Sequence, residues 1–529
     1  MAIVSRPSIN VRTTAVVIFL LAAFIVAERI WTYNKPVRRD VGIYAVIGHE
    51  LLGGRPLYSD LLELRPPAVL VTYAIGETVT GYGRLTLFLL YVIPTIITLL
   101  GVYYAGSAGG GATAGLWAAT FWAVLSGSYG LEGGEPNTEV FMNACLTWAF
   151  ALWVRGGGTS NRLKRWLAIG ALFALASLYK HMTVVCPLLL AVIHVAFPIP
   201  GRQDVGRRRA LIDVAVIAAV GVGAWALVTG YFAATGRFDV FREMMIDSSL
   251  AYAVDGNKLV VDRFDGVSVL MRNILAPLRG EAEFVLNVLN PLAMVTVLGG
   301  AAGLFRDRPR WALLLAFGAT TWLCIAIPGQ FWTHYYQLWL PPLVIGAGWT
   351  IASIKSFATK RRLNWLSHAV GGAVLSLLIW QQLPFYRMNA AGDWTLVNQP
   401  EEVISEPLAR EVDSLLAPGE TFYEWGGFPS LYFYSKRRPP SGILMVWWFV
   451  QGRLSAQLSR QVVADLERAQ PELLVVQKAD WPKNPIENQV SSWLQERYYP
   501  LPGDNERGPY ALYVRRGGRL EARFRSTSR

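Results

Sequence analysis

The sequence predicts a polytopic α-helical membrane protein of about 11 spans, followed by a small C-terminal extracytoplasmic α/β domain. Three observations predict it. Of 529 residues, 53% are hydrophobic and only 16% are charged. The apolar residues gather in windows of about 20, the length a helix needs to cross a bilayer, rather than alternating. Beyond residue 383 the composition becomes that of an ordinary soluble protein, which divides the chain into a membrane domain at 1–383 and a second domain at 384–529.

The first window, Thr13 to Trp31, lies behind Arg6 and Arg12. It is too long for a secretory h-region and lacks a small-residue cleavage site, so it is expected to be retained as a spanning helix. Further windows follow at 85–105, 113–128, 139–154, 166–180, 182–199, 210–232, 284–305, 311–328, 335–353 and 365–383.

The net charge of +12 raises the question of nucleic acid, and its placement answers it. The N-terminus and the loops 155–165, 202–209, 306–310 and 355–362 hold 17 Lys and Arg against two acids, Asp204 and Asp307. The remainder of the chain is therefore net acidic. Basic residues crowding one set of short loops mark those loops as cytoplasmic, and no nucleic-acid partner is implied. With these loops inside, 11 spans place the N-terminus in the cytoplasm and the C-terminal domain outside. The apolar stretch Pro67 to Thr80 would invert the basic loops if counted as a span, so it is expected to be a juxtamembrane or re-entrant helix on the outer side.

Three polar segments, 32–66, 128–138 and 233–283, then share the outer face. In the tail, helix patterns at 402–416, 454–469 and 486–497 alternate with strand patterns at TFYEW from 421, ELLVV from 472 and YALYV from 510. Cys145, Cys186 and Cys324 all fall in apolar segments, which excludes a disulfide framework or a CxxC site. The five histidines have no HxxxH or HExxH spacing, and the glycine triplets at 109 and 156 carry no phosphate-loop Lys-Ser/Thr.

Candidate chemistry lies on the outer side. Asp40 opens RRDVGIYAVIGHELLGG, an amphipathic pattern ended by Gly53-Gly54, where it serves either as a helix cap or as a functional carboxylate. SYGLEGGEPNTEVFM places Glu132, Glu135 and Glu139 at the mouth of a span, where a helix-start acid is also favoured by the helix dipole. Lys180, between two apolar runs, runs against the positive-inside trend, as a snorkelling cation or as the partner of an anion. QFWTHYYQLWLPP brings His334 and Tyr335 among interfacial aromatics. The stretch GGRPLYSDLLELRPPAVL adds Tyr58, Asp60, Glu63 and Arg65 around a diproline. Carboxylates can take a proton from an attacking hydroxyl, and cations can stabilise a phosphate leaving group, which together are what glycosyl transfer from a lipid-linked sugar phosphate requires.

The order of these motifs resembles the GT-C glycosyltransferases of the protein mannosyltransferase and aminoarabinose transferase type, family 39-like, which use polyprenyl-phosphate sugars. The matching pieces are Asp40 after the first span, GRPLYSD at 54–60, ELRPP at 63–67, TEVFM at 138–142, LYKH at 178–181 and HYYQLWLPP at 334–342. Two positions depart from the pattern. Val41 stands where many relatives carry a second acid, and Arg65 stands where they often carry Lys, keeping the charge and adding bidentate geometry.

The resemblance implies a membrane enzyme moving a sugar from a polyprenyl-phosphate donor to an acceptor hydroxyl on the outer face, with inversion. Asp40 and Glu139 would be catalytic, Asp40 as general base and Glu139 orienting the acceptor or supporting the base. Arg65 and Lys180 would bind the donor phosphate, while Glu63, Tyr58, His334 and Tyr335 would line the substrate. Glu63 is expected to position Arg65, and Asp60 to cap its turn. No cofactor is implied; a divalent metal is allowed but not indicated. The acceptor would be a lipid, a glycan or a protein, with membrane lipids as surroundings. The rival readings are a transporter or flippase of lipid-linked sugars, which would favour paired repeats and broken helices at the midplane, and a polymer ligase using a diphosphate-linked donor.

Overall fold

The computed structural model describes residues 10–156, 161–199, 206–256, 265–276, 283–363, 365–392, 394, 398–447, 455–481, 488–501 and 507–527. Arg6, Arg202 and Asp204 of the charge pattern lie outside them. Helix α1 (Val11–Trp31) is followed by two shorter helices, α2 (Arg39–Leu52) and α3 (Ala68–Thr80). The 13 residues of α3 extend about 20 Å, against an apolar bilayer core of about 30 Å. Both ends of α3 also lie on one face. Arg65 ahead of it pairs with Asp40 beside the C-terminal part, and Tyr82 behind it accepts a hydrogen bond from Lys436 of that part at 2.8 Å. The expected re-entrant or juxtamembrane character follows from this geometry.

Helix α4 (Arg84–Leu125) runs for 42 residues but is not one rod. Gly111 sits at φ 68°, a left-handed conformation that glycine adopts without the Cβ clash other residues incur. The indole of Trp122 donates to the carbonyl of Thr95 at 3.1 Å, although 27 positions separate them. In a straight helix they would stand about 40 Å apart. The chain therefore reverses at Gly111, and its two halves correspond to the windows 85–105 and 113–128.

Next come α5 (Thr138–Arg155), α6 (Arg162–Tyr179), α7 (Val185–Ala196) and α8 (Arg207–Ala234). The third polar segment holds α9 (Phe238–Arg242), a π-helical turn (Glu243–Ser248), α10 (Ser249–Gly256) and α11 (Asp265–Leu275). The membrane part closes with α12 (Glu283–Gly303), α13 (Arg308–Ala326), α14 (Leu340–Lys360) and α15 (Leu366–Ala391). Among the described residues six helical segments are long and apolar enough to cross a membrane: Val11–Trp31, Arg84–Leu125, Arg207–Ala234, Arg308–Ala326, Thr333–Thr359 and Leu366–Met388. Outward-facing Phe19 and Leu227 are 70% and 78% exposed, an arrangement that suits lipid as the surrounding solvent. Helix α15 continues past the expected end at 383, because a helix outside the apolar layer no longer needs apolar residues.

Basic residues and site residues fall at opposite helix ends. Helix α5 opens at Glu139 and ends at Arg155; α6 opens at Arg162 and hands over to Lys180. Helices α8 and α13 likewise start with arginines.

The C-terminal part is a four-stranded sheet, β1 (Phe422–Trp425), β2 (Leu473–Gln477), β3 (Tyr498–Pro500) and β4 (Tyr510–Arg515), with helices Pro400–Leu415, Ser455–Ala469 and Gln489–Arg497. The strand order is β1-β2-β4-β3, with β1 parallel to β2 and the other pairs antiparallel. Three strands were expected and β3 was not. It carries Pro500 and pairs on one side only, and a proline at a sheet edge leaves a weak pattern. Helix Ser430–Ser435 was likewise not expected. This part sits directly on the membrane part. Arg84 reaches Glu406 at 2.5 Å, the backbone amide of Val37 donates to the Tyr434 hydroxyl at 2.8 Å, and Arg438 pairs with Glu50 at 2.9 Å.

Candidate functional site

The loop between α2 and α3 is held from within. Arg55 grips Asp60 with two parallel hydrogen bonds, Nε to Oδ2 at 2.7 Å and Nη2 to Oδ1 at 2.8 Å, and reaches Glu50 at 3.1 Å. Asp60 thus closes the loop through a bidentate pair, a larger part than capping a turn. Tyr58 adopts a positive φ of 69°, a conformation costing on the order of 1 kcal/mol or more in a residue with a side chain. Its surroundings enforce it: the ring lies against Phe232 and Phe241, and the hydroxyl donates to the carbonyl of Arg65 at 2.8 Å. Tyr58 is fully buried. The expectation that it lines the substrate is corrected, because its ring is enclosed by aromatic side chains and its hydroxyl is spent on the backbone that carries Arg65.

Arg65 is the hub. Its Nη2 donates to Asp40 Oδ2 at 2.6 Å and its Nη1 to Glu63 Oε1 at 2.8 Å, while the guanidinium lies over the Tyr44 ring at 5.3 Å. The same Glu63 oxygen accepts from the backbone amides of Leu64 at 2.9 Å and Arg65 at 3.3 Å, fixing the Arg65 backbone and side chain together. Asp40 is the second residue of α2 and makes no side-chain cap. Burial pushes its carboxyl up, but Arg65, His334 and Arg39 outweigh burial and hold it below the usual carboxylate value.

The segment 128–138 and the His334 segment supply the next ring. His334 lies between two acids, with Nδ1 3.1 Å from Glu132 and Nε2 4.0 Å from Asp40. The Thr333 hydroxyl also donates to Glu132. Glu132 in turn meets Arg38 at 3.0 Å, Arg38 meets Glu135 at 3.4 Å, and Glu135 meets Lys35 at 3.1 Å. Burial raises the Glu132 carboxyl, yet His334 and Arg38 together bring it well below its ordinary value. Glu132 and Arg38 were not among the predicted site residues. The acid-rich SYGLEGGEPN stretch was the available signal, but nothing in the sequence said which acid faces His334.

Glu139 and Lys180 form a separate buried pair at 3.1 Å, with the Thr138 hydroxyl donating to the second Glu139 oxygen at 2.8 Å. The Lys180 ammonium stands 3.4 Å from the centre of the Tyr335 ring. Glu139, expected to orient the acceptor or to support the base, is 0% exposed and lines neither of the cavities described next; its carboxylate is paired with Lys180.

Two cavities meet at Arg65. One, of about 450 Å³, is walled largely by apolar groups, among them Pro66, Met182, Met245, Leu250, Ile327 and Pro328, with Arg65, Lys180 and Tyr335 also at its wall. The other, of about 540 Å³, is polar and lies between the membrane and C-terminal parts. It is lined by Asp40, Glu63, Glu132 and His334 on one side and by Glu402, Gly426 and Gln477 among others on the other. Leu64, Arg65 and Tyr252 belong to both. Among the described residues no group of three or more His, Cys, Asp or Glu could hold a metal ion.

Residues 64–227 match the family model described as dolichyl-phosphate-mannose-protein mannosyltransferase. The fold is similar to that of ArnT from Cupriavidus metallidurans bound to undecaprenyl phosphate, with a TM-score of 0.59 at 15% identity over 96% of this chain and 98% of that one. The chain has the GT-C fold. The GT-C fold is also shared with the archaeal oligosaccharyltransferase AglB from Archaeoglobus fulgidus in complex with an inhibitory peptide and a dolichol-phosphate, at a TM-score of 0.53 and 13% identity over 88% of this chain and 69% of that one. No curated protein sequence matches this chain.

Proposed function

We propose that this enzyme transfers a sugar from a polyprenyl monophosphate to an acceptor hydroxyl on the outer face of the cytoplasmic membrane, with inversion. The observation that carries the reading is the meeting of the two cavities at Arg65. An apolar cavity bordered by two cations suits a lipid tail with an anionic head, and the polar cavity beyond suits a sugar and its acceptor. Polyprenyl monophosphates, bound in the ArnT and AglB structures, support this donor over the diphosphate-linked substrate of a polymer ligase. The basic helix ends opposite the site support an outward-facing active site and an extracytoplasmic C-terminal part.

In this mechanism the donor phosphate takes hydrogen bonds from Arg65 and Lys180. Arg65 is already shared with Asp40, so an arriving phosphate competes for the guanidinium. As that cation turns away, Asp40 becomes a stronger base, and its proton affinity rises only when donor is in place. The acceptor oxygen then attacks the anomeric carbon from the face opposite the phosphate. Its proton goes to Asp40, the carbon–oxygen bond to phosphate breaks, and polyprenyl phosphate leaves with the bonding electron pair. Glu63 keeps Arg65 in place, Glu139 keeps Lys180 in place, and His334 and Tyr335 border the reacting groups. The membrane domain is read as 1–383 and the C-terminal domain as 384–529.

The test is transfer from radiolabelled polyprenyl-phosphate sugars in membranes containing the protein or Asp40→Asn. Loss of a general base lowers the rate by about 10²- to 10⁴-fold. Unchanged transfer by Asp40→Asn at equal protein level removes Asp40 as the base.

A further inference from the structure

The C-terminal wall of the polar cavity carries polar groups that the mechanism above does not use. Gly426 and Gly427 follow β1 and line the cavity together with Arg39, Gln477 and Asp480. The Gln477 amide donates through Nε2 to Glu401 at 3.0 Å, which leaves its Oε1 buried and without a partner among the described residues. Arg39 spends Nη2 on Gln399 at 3.3 Å and its backbone amide on Glu402 at 3.1 Å, yet its Nε is also buried and unpartnered among the described residues. Both atoms cluster at the glycine pair. A Cβ on Gly426 would stand 2.9 Å from Gln477 Oε1 and would collide with Glu424, and a Cβ on Gly427 would come within 3.9 Å of Arg39 Nε.

An unpaired buried donor or acceptor costs about 1–3 kcal/mol. Here one of each lies beside a turn stripped of side chains, in a cavity within the usual size range for small ligands. A free donor beside a free acceptor matches a hydroxyl group, which offers both functions. The same cavity displays aromatic faces: Trp332 and Trp447 are 46% and 36% exposed, and Tyr252 touches both, accepting from the Trp332 indole at 2.9 Å and lying 6.4 Å from the Trp447 ring centre. A membrane-interface role would account for Trp332 but not for Trp447, which belongs to the C-terminal part. Exposed rings together with a hydroxyl-matching polar pair are the requirements of a sugar ring, whose axial C–H groups are apolar and whose edges are polar.

We propose that the Gly426–Gly427 turn, with Arg39 and Gln477, is a subsite for a sugar residue of a glycan acceptor. The proposal rests on the transferase reading and deepens it by naming the acceptor class. Arg39 precedes Asp40 in α2, so a sugar held at the turn has the next residue of the same helix as its proton acceptor.

The experiment uses the full chain in lipid nanodiscs. Methyl hexopyranosides and a neutral Ser/Thr peptide are each titrated and followed by saturation-transfer difference NMR, without donor. Transfer from radiolabelled polyprenyl-phosphate sugar to a short oligosaccharide is measured separately. The proposal expects glycoside binding but no peptide binding. It expects Gln477→Ala and Trp447→Ala each to raise the oligosaccharide KM about tenfold or more with donor KM unchanged. Gln477→Asn, which keeps an amide donor and acceptor, is expected to restore binding in part, a result that a merely structural defect would not give. Transfer to peptide alone, or glycoside binding indifferent to both variants, overturns the subsite while leaving the transferase reading intact. Absence of any transfer, with glycoside binding intact and sensitive to Gln477→Ala, counts against the transferase reading instead.

Discussion

Arg65 and Asp40, 25 positions apart, share an ion pair of 2.6 Å at the point where the apolar and polar cavities meet. The pair joins the residue proposed to bind the lipid phosphate to the residue proposed to take the proton. What removes one partner therefore retunes the other.

Arg65→Ala is expected to raise donor KM by about 10- to 100-fold, the worth of a charge-assisted hydrogen bond. It also frees Asp40 from its nearest cation. A carboxyl held low stays ionised as pH falls; without Arg65 its value rises, so the acid limb of kcat/KM for the donor, which reports the free enzyme, moves to higher pH. Arg65→Lys keeps the charge but cannot present a fork to both Asp40 and Glu63, so it recovers only part of the activity. An unmoved acid limb in Arg65→Ala would show that Asp40 does not limit the rate.

Glu139 and Lys180 should behave as a unit. Removing one partner of a buried pair costs about 3–5 kcal/mol, because the other charge is left without compensation. Glu139→Gln is therefore expected to lower the melting temperature and raise donor KM. Adding Lys180→Met to it should cost less stability than the two single changes summed. If Glu139→Gln instead leaves donor KM alone and raises acceptor KM, Glu139 contacts the acceptor after all.

Tyr58→Phe deletes the hydroxyl that holds the Arg65 carbonyl and leaves that buried acceptor unpaired. A loss of about 1–3 kcal/mol is expected in chemical denaturation. Because Tyr58 lines neither cavity, acceptor KM should stay at the wild-type value while donor KM rises through displacement of Arg65. A change confined to acceptor KM would contradict the buried placement.

Glu424 gives the C-terminal part a pH signature. Burial in the sheet raises its carboxyl to about 8. The folded form therefore holds a proton that the unfolded chain releases at an ordinary carboxylate pH. This stabilisation is intact below the unfolded value and declines as pH rises towards 8, by at most about 1.4 kcal/mol per unit. Melting of the wild-type protein should fall between pH 5 and 8 by more than that of Glu424→Gln, which carries a permanently uncharged group. Parallel profiles for the two proteins would mean Glu424 is ionised in the folded state.

By itself the sequence determined the membrane class and the approximate helices. Apolar windows and clustered loop charges are local quantities, and no folding is needed to count them. It also nominated Asp40, Glu63, Arg65, Lys180, His334 and Tyr335, because charges next to apolar spans stand out in composition. Only the tertiary structure decided what these residues do to one another. It paired Glu139 with Lys180, enclosed Tyr58, and brought Glu132 from a separate segment to His334. It also set Gly427, from the far C-terminal part, beside Arg39, the residue preceding Asp40. The physical reason is range. A helix or strand is fixed by neighbours a few positions away, whereas an ion pair or a cavity wall depends on distances of a few ångströms between segments up to hundreds of positions apart, which only the packed chain defines.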